Sequence, residues 1–171
     1  YRAGGVNKTV NHNPSGTQEG DGNFHHIVVT WDRAGENELK IYYDGSLRAT
    51  QTLPATLTGD FDDTADSTLG QAGASGVEFL SGTSFNGNAD YNGYLDDFAV
   101  YSDVLTASNV TTLYNSGKSN PSNVRTVGTL IAHWKFNEGT GNTVTDSKQG
   151  FVGTFGSTGN EPVFSEINAE E

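Results

Sequence analysis

The sequence predicts an all-β protein, an antiparallel sandwich of the jelly-roll type with one short helix. Three observations carry that reading. Gly makes up 22 of the 171 residues and only 18% are charged, which suits many strands and tight turns better than a helical bundle. Residues 38–53 alternate apolar and polar side chains on either side of Asp44-Gly45, the pattern of a hairpin. The stretch Gly93-Tyr94-Leu95-Asp96-Asp97-Phe98-Ala99-Val100-Tyr101 reads as a strand that opens on two carboxylates and is followed by a turn and a capped helix. A chain of this length can bury one core of its own.

In order, residues 1–23 are rich in Gly, Asn and Thr, with Val6, Thr9 and Val10 placed in one short strand and the rest in loop. Residues 24–32 form a strong strand. Ile27, Val29 and Trp31 mark one face and Phe24 and Val28 the other, so the strand is expected to be central and covered on both sides. His25 and His26 point to opposite faces of such a strand and are read as hydrogen-bonded sheet histidines. In the hairpin that follows, Leu39, Ile41 and Tyr43 share a face, Asp44-Gly45 makes a type I′ turn, and Leu47, Ala49 and Leu53 share a face on the returning strand. The loop from Pro54 to Asp66 holds four Asp in its last seven residues. It lacks the Gly and the Glu of an EF-hand, and stands either as a solvated acidic loop or as an oxygen-rich calcium site. Residues 71–93 form a long Gly-, Ser- and Asn-rich loop carrying Phe79, Phe85 and Tyr91.

After the 93–101 strand, Thr106 is the expected N-cap of a helix running to Gly117, with Leu105 and Val110 as a hydrophobic staple. Residues 119–128 read as a linker. Residues 129–171 contain a second Trp-bearing strand, Leu130-Ile131-Ala132-His133-Trp134, one or two further short strands among Phe151, Val152, Phe155, Val163 and Phe164, and an acidic tail.

The net charge of −12 argues against nucleic acid and anionic membranes as partners, because both are bound through Lys and Arg. There is no Cys, hence no disulfide, and no apolar run long enough for a membrane span. Met is absent even from position 1, so the chain is expected to be processed or to be a piece of something longer.

Phe24-His25-His26-Ile27-Val28-Val29-Thr30-Trp31-Asp32, Leu39-Lys40-Ile41-Tyr42-Tyr43-Asp44-Gly45, the 93–101 strand and Leu105-Thr106 stand in an order that resembles laminin-G-like domains of the concanavalin A-like lectin/glucanase superfamily. The resemblance covers roughly residues 20 to 118, so that 1–118 is the C-terminal part of such a sandwich. The family's opening strands have no counterpart before Phe24, while the segment from Leu130 resembles an opening strand placed after the closing one. A slice across a tandem repeat, a strand folded back onto the same sandwich, and a terminal segment packed on its own or a neighbouring domain all fit that order; the terminal segment is the expectation adopted.

In calcium-binding members of the superfamily an Asp matching Asp96 contributes oxygens where the last strand meets the first. The resemblance therefore implies Ca²⁺ as cofactor, with Asp96 and Glu138 as its principal ligands and Asp97 and Asp146 behind them. Glucanases of the superfamily resemble one another in a Glu-x-Asp-x-x-Glu run, which this sequence lacks. Asp96 and Asp97 are adjacent, so on an extended strand they face apart and cannot serve one site. No enzyme is expected. The candidate ligand-binding residues are Tyr91 and Phe85, placed to stack on sugar rings, with Asp62 from the acidic loop. The function expected is a lectin-like adhesion or structural module of a larger extracellular assembly. That assembly is a virion surface or a cell-surface protein, with a glycan or host surface and neighbouring copies as partners. The alternative is the carbohydrate-binding module of a secreted enzyme whose catalytic domain lies upstream.

Overall fold

A computed structural model describes residues 2–3, 6–7, 21–54, 68–69, 78–79, 93–117, 127–156 and 163–164. In chain order its elements are β1 (Arg2–Ala3), β2 (Val6–Asn7), β3 (Ile27–Asp32), β4 (Glu38–Tyr43), β5 (Ser46–Thr52), β6 (Thr68–Leu69), β7 (Glu78–Phe79), β8 (Phe98–Tyr101), α1 (Ala107–Gly117), β9 (Leu130–Trp134), β10 (Thr143–Thr145) and β11 (Val152–Thr154). This is the expected all-β sandwich with one short helix. Its ladders are antiparallel except for the short parallel pair β6–β7.

The meander β3-β4-β5 is the largest sheet. Asp44 and Gly45 both take positive φ, 49° and 75°, and join Tyr43 to Ser46 as the expected type I′ turn. The register shifts between Ile41 and Tyr42: Ile41 faces Ala49, but Tyr42 faces Leu47. Arg48 is the extra residue of a bulge, and it places Leu47 and Ala49 on opposite faces rather than on the shared one that strict alternation implies.

One face of the meander is covered by α1. Val110, fully buried, packs with Leu105, Leu113 and Tyr42, and Val28, Tyr101 and Val127 close the cluster. The helix starts where its cap dictates. Thr106 Oγ1 accepts the Asn109 N–H at 3.2 Å while Asn109 Oδ1 accepts the Thr106 N–H at 3.0 Å, a capping box with Asn in place of Glu. Leu105 and Val110, before and after this box, both lie in the buried cluster, as a staple requires. Gly45 fits against the helix because it has no side chain: a Cβ there would come within 2.9 Å of Tyr114 Cδ1.

The other face of β3 departs from expectation. Ile27 and Val29 are 41% and 47% exposed, and among the described residues β3 pairs with β4 alone. Among the described residues it is an edge strand covered on its Val28 side only. β9 lies antiparallel on β8, with Phe98 opposite Trp134 and Ala99 opposite His133. The strand that resembles an opening one thus folds back onto the closing one within the same chain. β10 and β11 extend it as a hairpin whose Val144 is buried.

Candidate functional site

Among the described residues, side chains capable of chemistry gather in two places. The first is the start of the β8–β9 ladder. The strand begins at Phe98, two residues after Asp96, because Asp97 takes φ 51°. That left-handed residue breaks the alternation by which Asp96 would share a face with Phe98. Asp97 instead turns inward, and its Oδ1 lies 2.6 Å from Nε2 of His133. His133 is fully buried, and its Nδ1 has no hydrogen-bond partner among the described residues. An ionised carboxylate only accepts, so Nε2 carries the proton of this bond.

The His133 backbone N–H donates to Asp146 Oδ1 at 2.5 Å. The same carboxylate accepts the N–H groups of Lys148, Gln149 and Gly150. Burial pushes the Asp146 carboxyl up, but these backbone donors outweigh it and hold it below its ordinary value. Asp146 is therefore the knot of the turn after β10. Lys148 Nζ and Gln149 Nε2 extend from that turn to the carbonyls of Leu130 and Ile131 and fasten it to β9. Glu138 Oε1 accepts the Thr145 N–H at 3.0 Å, and Asp96 Oδ1 accepts the N–H of Asp97.

Of the four residues expected to hold calcium, Asp97 and Asp146 thus meet at His133, and Asp96 adjoins Asp97 in sequence. Their described bonds are to protein donors, and both oxygens of Asp146 are occupied by N–H groups. Among the described residues no three His, Asp or Glu side chains gather as an ion's donor set. Among the described residues these four carboxylates do not form one donor set. The acidic loop with Asp62, and the loop with Phe85 and Tyr91, lie outside the described residues.

The second place is the open end of the β3–β4 ladder. Continuing the register one step beyond Ile27 and Tyr43 brings His26 opposite Asp44. Asp44 donates its N–H to the His26 carbonyl and accepts the His26 N–H on Oδ1. Its Oδ2 lies 2.9 Å from Nδ1 of His25, whose Nε2 lies 3.1 Å from Asp21 Oδ1. Tyr43 stacks on the His25 ring at 4.7 Å. His26 stacks on Tyr114 of α1, and burial, against the pull of Asp44, lowers its pKa. Beside these, Phe24 and Tyr94 place their rings 6.4 Å apart at 49°, 37% and 56% exposed. Reading His25 and His26 as hydrogen-bonded sheet histidines holds for the bonding of His25 alone: β3 opens only at Ile27, and Nδ1 of His26 is buried without a hydrogen-bond partner among the described residues. The reading also misses Asp21 and Asp44. The hairpin register contained the signal for Asp44.

His26 and His133 are enclosed, and both nitrogens of His25 face carboxylates. Residues 2–111 match the profile of the laminin-G-type family described as the concanavalin A-like lectin/glucanases superfamily, and the chain belongs to that family. The match ends within α1, so β9, β10 and β11 lie beyond it. No curated protein and no solved structure matches the chain.

Proposed function

We propose that this protein is a non-enzymatic, lectin-like adhesion or structural module of a larger extracellular assembly, a decoration or fibre of a virion or a cell-surface protein. The observation that carries the reading is the exposed pair Phe24 and Tyr94. Aromatic faces left in water at the rim of a lectin-type sandwich offer stacking surface to a sugar ring. The bonds of His25 and His133 to carboxylates and the enclosure of His26 against Tyr114 speak for binding rather than acid–base chemistry. The charge of −12 favours neutral or cationic partners.

Binding of the intact chain to an immobilised glycan panel tests this. Phe24→Ala combined with Tyr94→Ala is expected to weaken the best glycan by about tenfold or more, since each stacked ring contributes about 0.5–1.5 kcal/mol. The double variant should keep a single cooperative melt, so that lost binding is read on a folded protein. The panel staying blank, or the double variant binding as well as the parent, would sink the glycan reading. Release of reducing ends from any polysaccharide would sink the non-enzymatic one.

A further inference from the structure

His25 holds a position that only one protonation state satisfies. Its Nδ1 faces Asp44 Oδ2 at 2.9 Å and its Nε2 faces Asp21 Oδ1 at 3.1 Å. Both partners are acceptors only when ionised, so the two bonds exist together only if both ring nitrogens carry a proton. In the neutral ring one nitrogen lone pair would face a carboxylate lone pair. We infer that His25 is a pH-operated latch: as imidazolium it ties the segment leading into β3 to the β4–β5 turn, and as neutral imidazole it lets Asp21 go.

The two arms are unequal. Asp44 is also held by the N–H of His26 at 3.0 Å, so it stays in place in either state. Asp21 is exposed, and its other donor is its near neighbour Asn23, whose backbone N–H lies 2.9 Å away, which makes Asp21 the arm that releases. Phe24 lies between Asn23 and His25, and its position follows the latch.

The surroundings set the direction. Burial pushes the His25 pKa down, but the hydrogen bonds from Asp44 and then Asp21 raise it above the ordinary 6.5. Asn23, through side chain and backbone, and then His25 hold Asp21 down to about 2, so that carboxylate is ionised throughout the range in which the ring titrates. Of the other groups nearby, Tyr43 of β4 stacks on the ring, and Arg48 of β5 lies over the Tyr43 ring at 5.8 Å as the opposing charge. His26, adjacent in sequence, stacks on Tyr114, and burial lowers its pKa against the pull of Asp44. Because the folded pKa is the higher one, the latch's contribution is complete below about 6.5 and is lost as pH rises through the folded value.

Other uses of the cluster fail on geometry. The carboxylates bond to opposite ring nitrogens, so one ion cannot take both acids and the imidazole. With both nitrogens occupied, none is left to act as a base. The latch stands whether or not Phe24 and Tyr94 bind a sugar.

The test is an NMR titration of the His25 ring in the whole chain, beside Asp21→Asn and His25→Gln. Asp21 is exposed, so its replacement leaves the fold intact. The ring midpoint is expected above about 6.5 in the parent and lower in Asp21→Asn. The Asn23 amide should titrate with the same midpoint in the parent and lose that transition in both variants. A parent midpoint at or below about 6.5 overturns the latch. So does an Asp21→Asn midpoint equal to the parent's.

Discussion

Replacing Val110 by Ala tests whether burial against α1 holds the meander, and Val29→Ala supplies the control with the same atoms removed. Val110 is fully buried among Leu105, Leu113 and Tyr42, whereas Val29 is 47% exposed on the open face of β3. Removing two methyl-sized groups from full burial costs about 1.6 kcal/mol at ~0.8 kcal/mol per group. The cavity left behind raises that to about 2–3 kcal/mol. Ala is the better helix former by about 0.5 kcal/mol, which brings the net near 2 kcal/mol. Val29→Ala loses roughly half the transfer term, leaves no closed cavity, and gives up about 0.5 kcal/mol of strand preference, a net of about 1 kcal/mol. Local propensity alone therefore predicts the opposite order from burial. Urea unfolding of both variants decides, read as midpoint shifts at unchanged m. If Val29→Ala costs as much as Val110→Ala or more, the assignment of the helix-covered face as the core is wrong.

Three further outcomes follow from the same contacts. Gly45→Ala imposes a side chain on a residue at φ +75° and sets its Cβ 2.9 Å from Tyr114 Cδ1, so a loss of about 2 kcal/mol in thermal unfolding is expected; a loss under ~0.5 kcal/mol would mean the turn does not abut the helix. Asp146 has its folded pKa lowered, so its contribution is present above about 3.9 and is lost as pH falls through the folded value. The parent should therefore lose melting temperature on acidification more steeply than Asp146→Asn, and parallel acid limbs would contradict the four-donor knot. Millimolar calcium should leave the melt unchanged. An ion at a hundredfold its Kd would add about 2.7 kcal/mol, a rise of several degrees, and such a rise abolished by Asp96→Ala would restore the ion site.

What the sequence revealed was local. The Asp44-Gly45 turn, the Thr106 cap and the Leu105–Val110 staple are written in neighbouring residues, and the structure reproduces each. The laminin-G-type resemblance was likewise legible, because it rests on the order of short motifs. What escaped depends on backbone states and distant pairings. Positive φ at Asp97 is uncommon for a residue other than Gly, and it reverses which acid faces inward. The bulge at Arg48 leaves no mark in an alternating pattern but moves Leu47 to the other face. The union of Asp146 with His133, and of Asp21 with His25 and Asp44, depends on where turns bring the chain back, which hydrophobic periodicity does not encode.

The β8–β9 pairing also fixes an order of events during synthesis. The hairpins of β3-β4-β5 join neighbours and close in about microseconds once they clear the ribosome. Among the described residues β8 has no such neighbour: its partner begins at Leu130, and translating from Tyr101 to that point takes about 2–6 s. The equilibrium penalty of so distant a closure is small, about 0.6 kcal/mol for each doubling of the loop, so the cost falls on time rather than on final stability. For those seconds the backbone edge of β8 that β9 will cover is open to any strand nearby, including one from another nascent copy on the same message. β9 thus works as a late-arriving guard, and a chain interrupted before Leu130 would present that edge permanently.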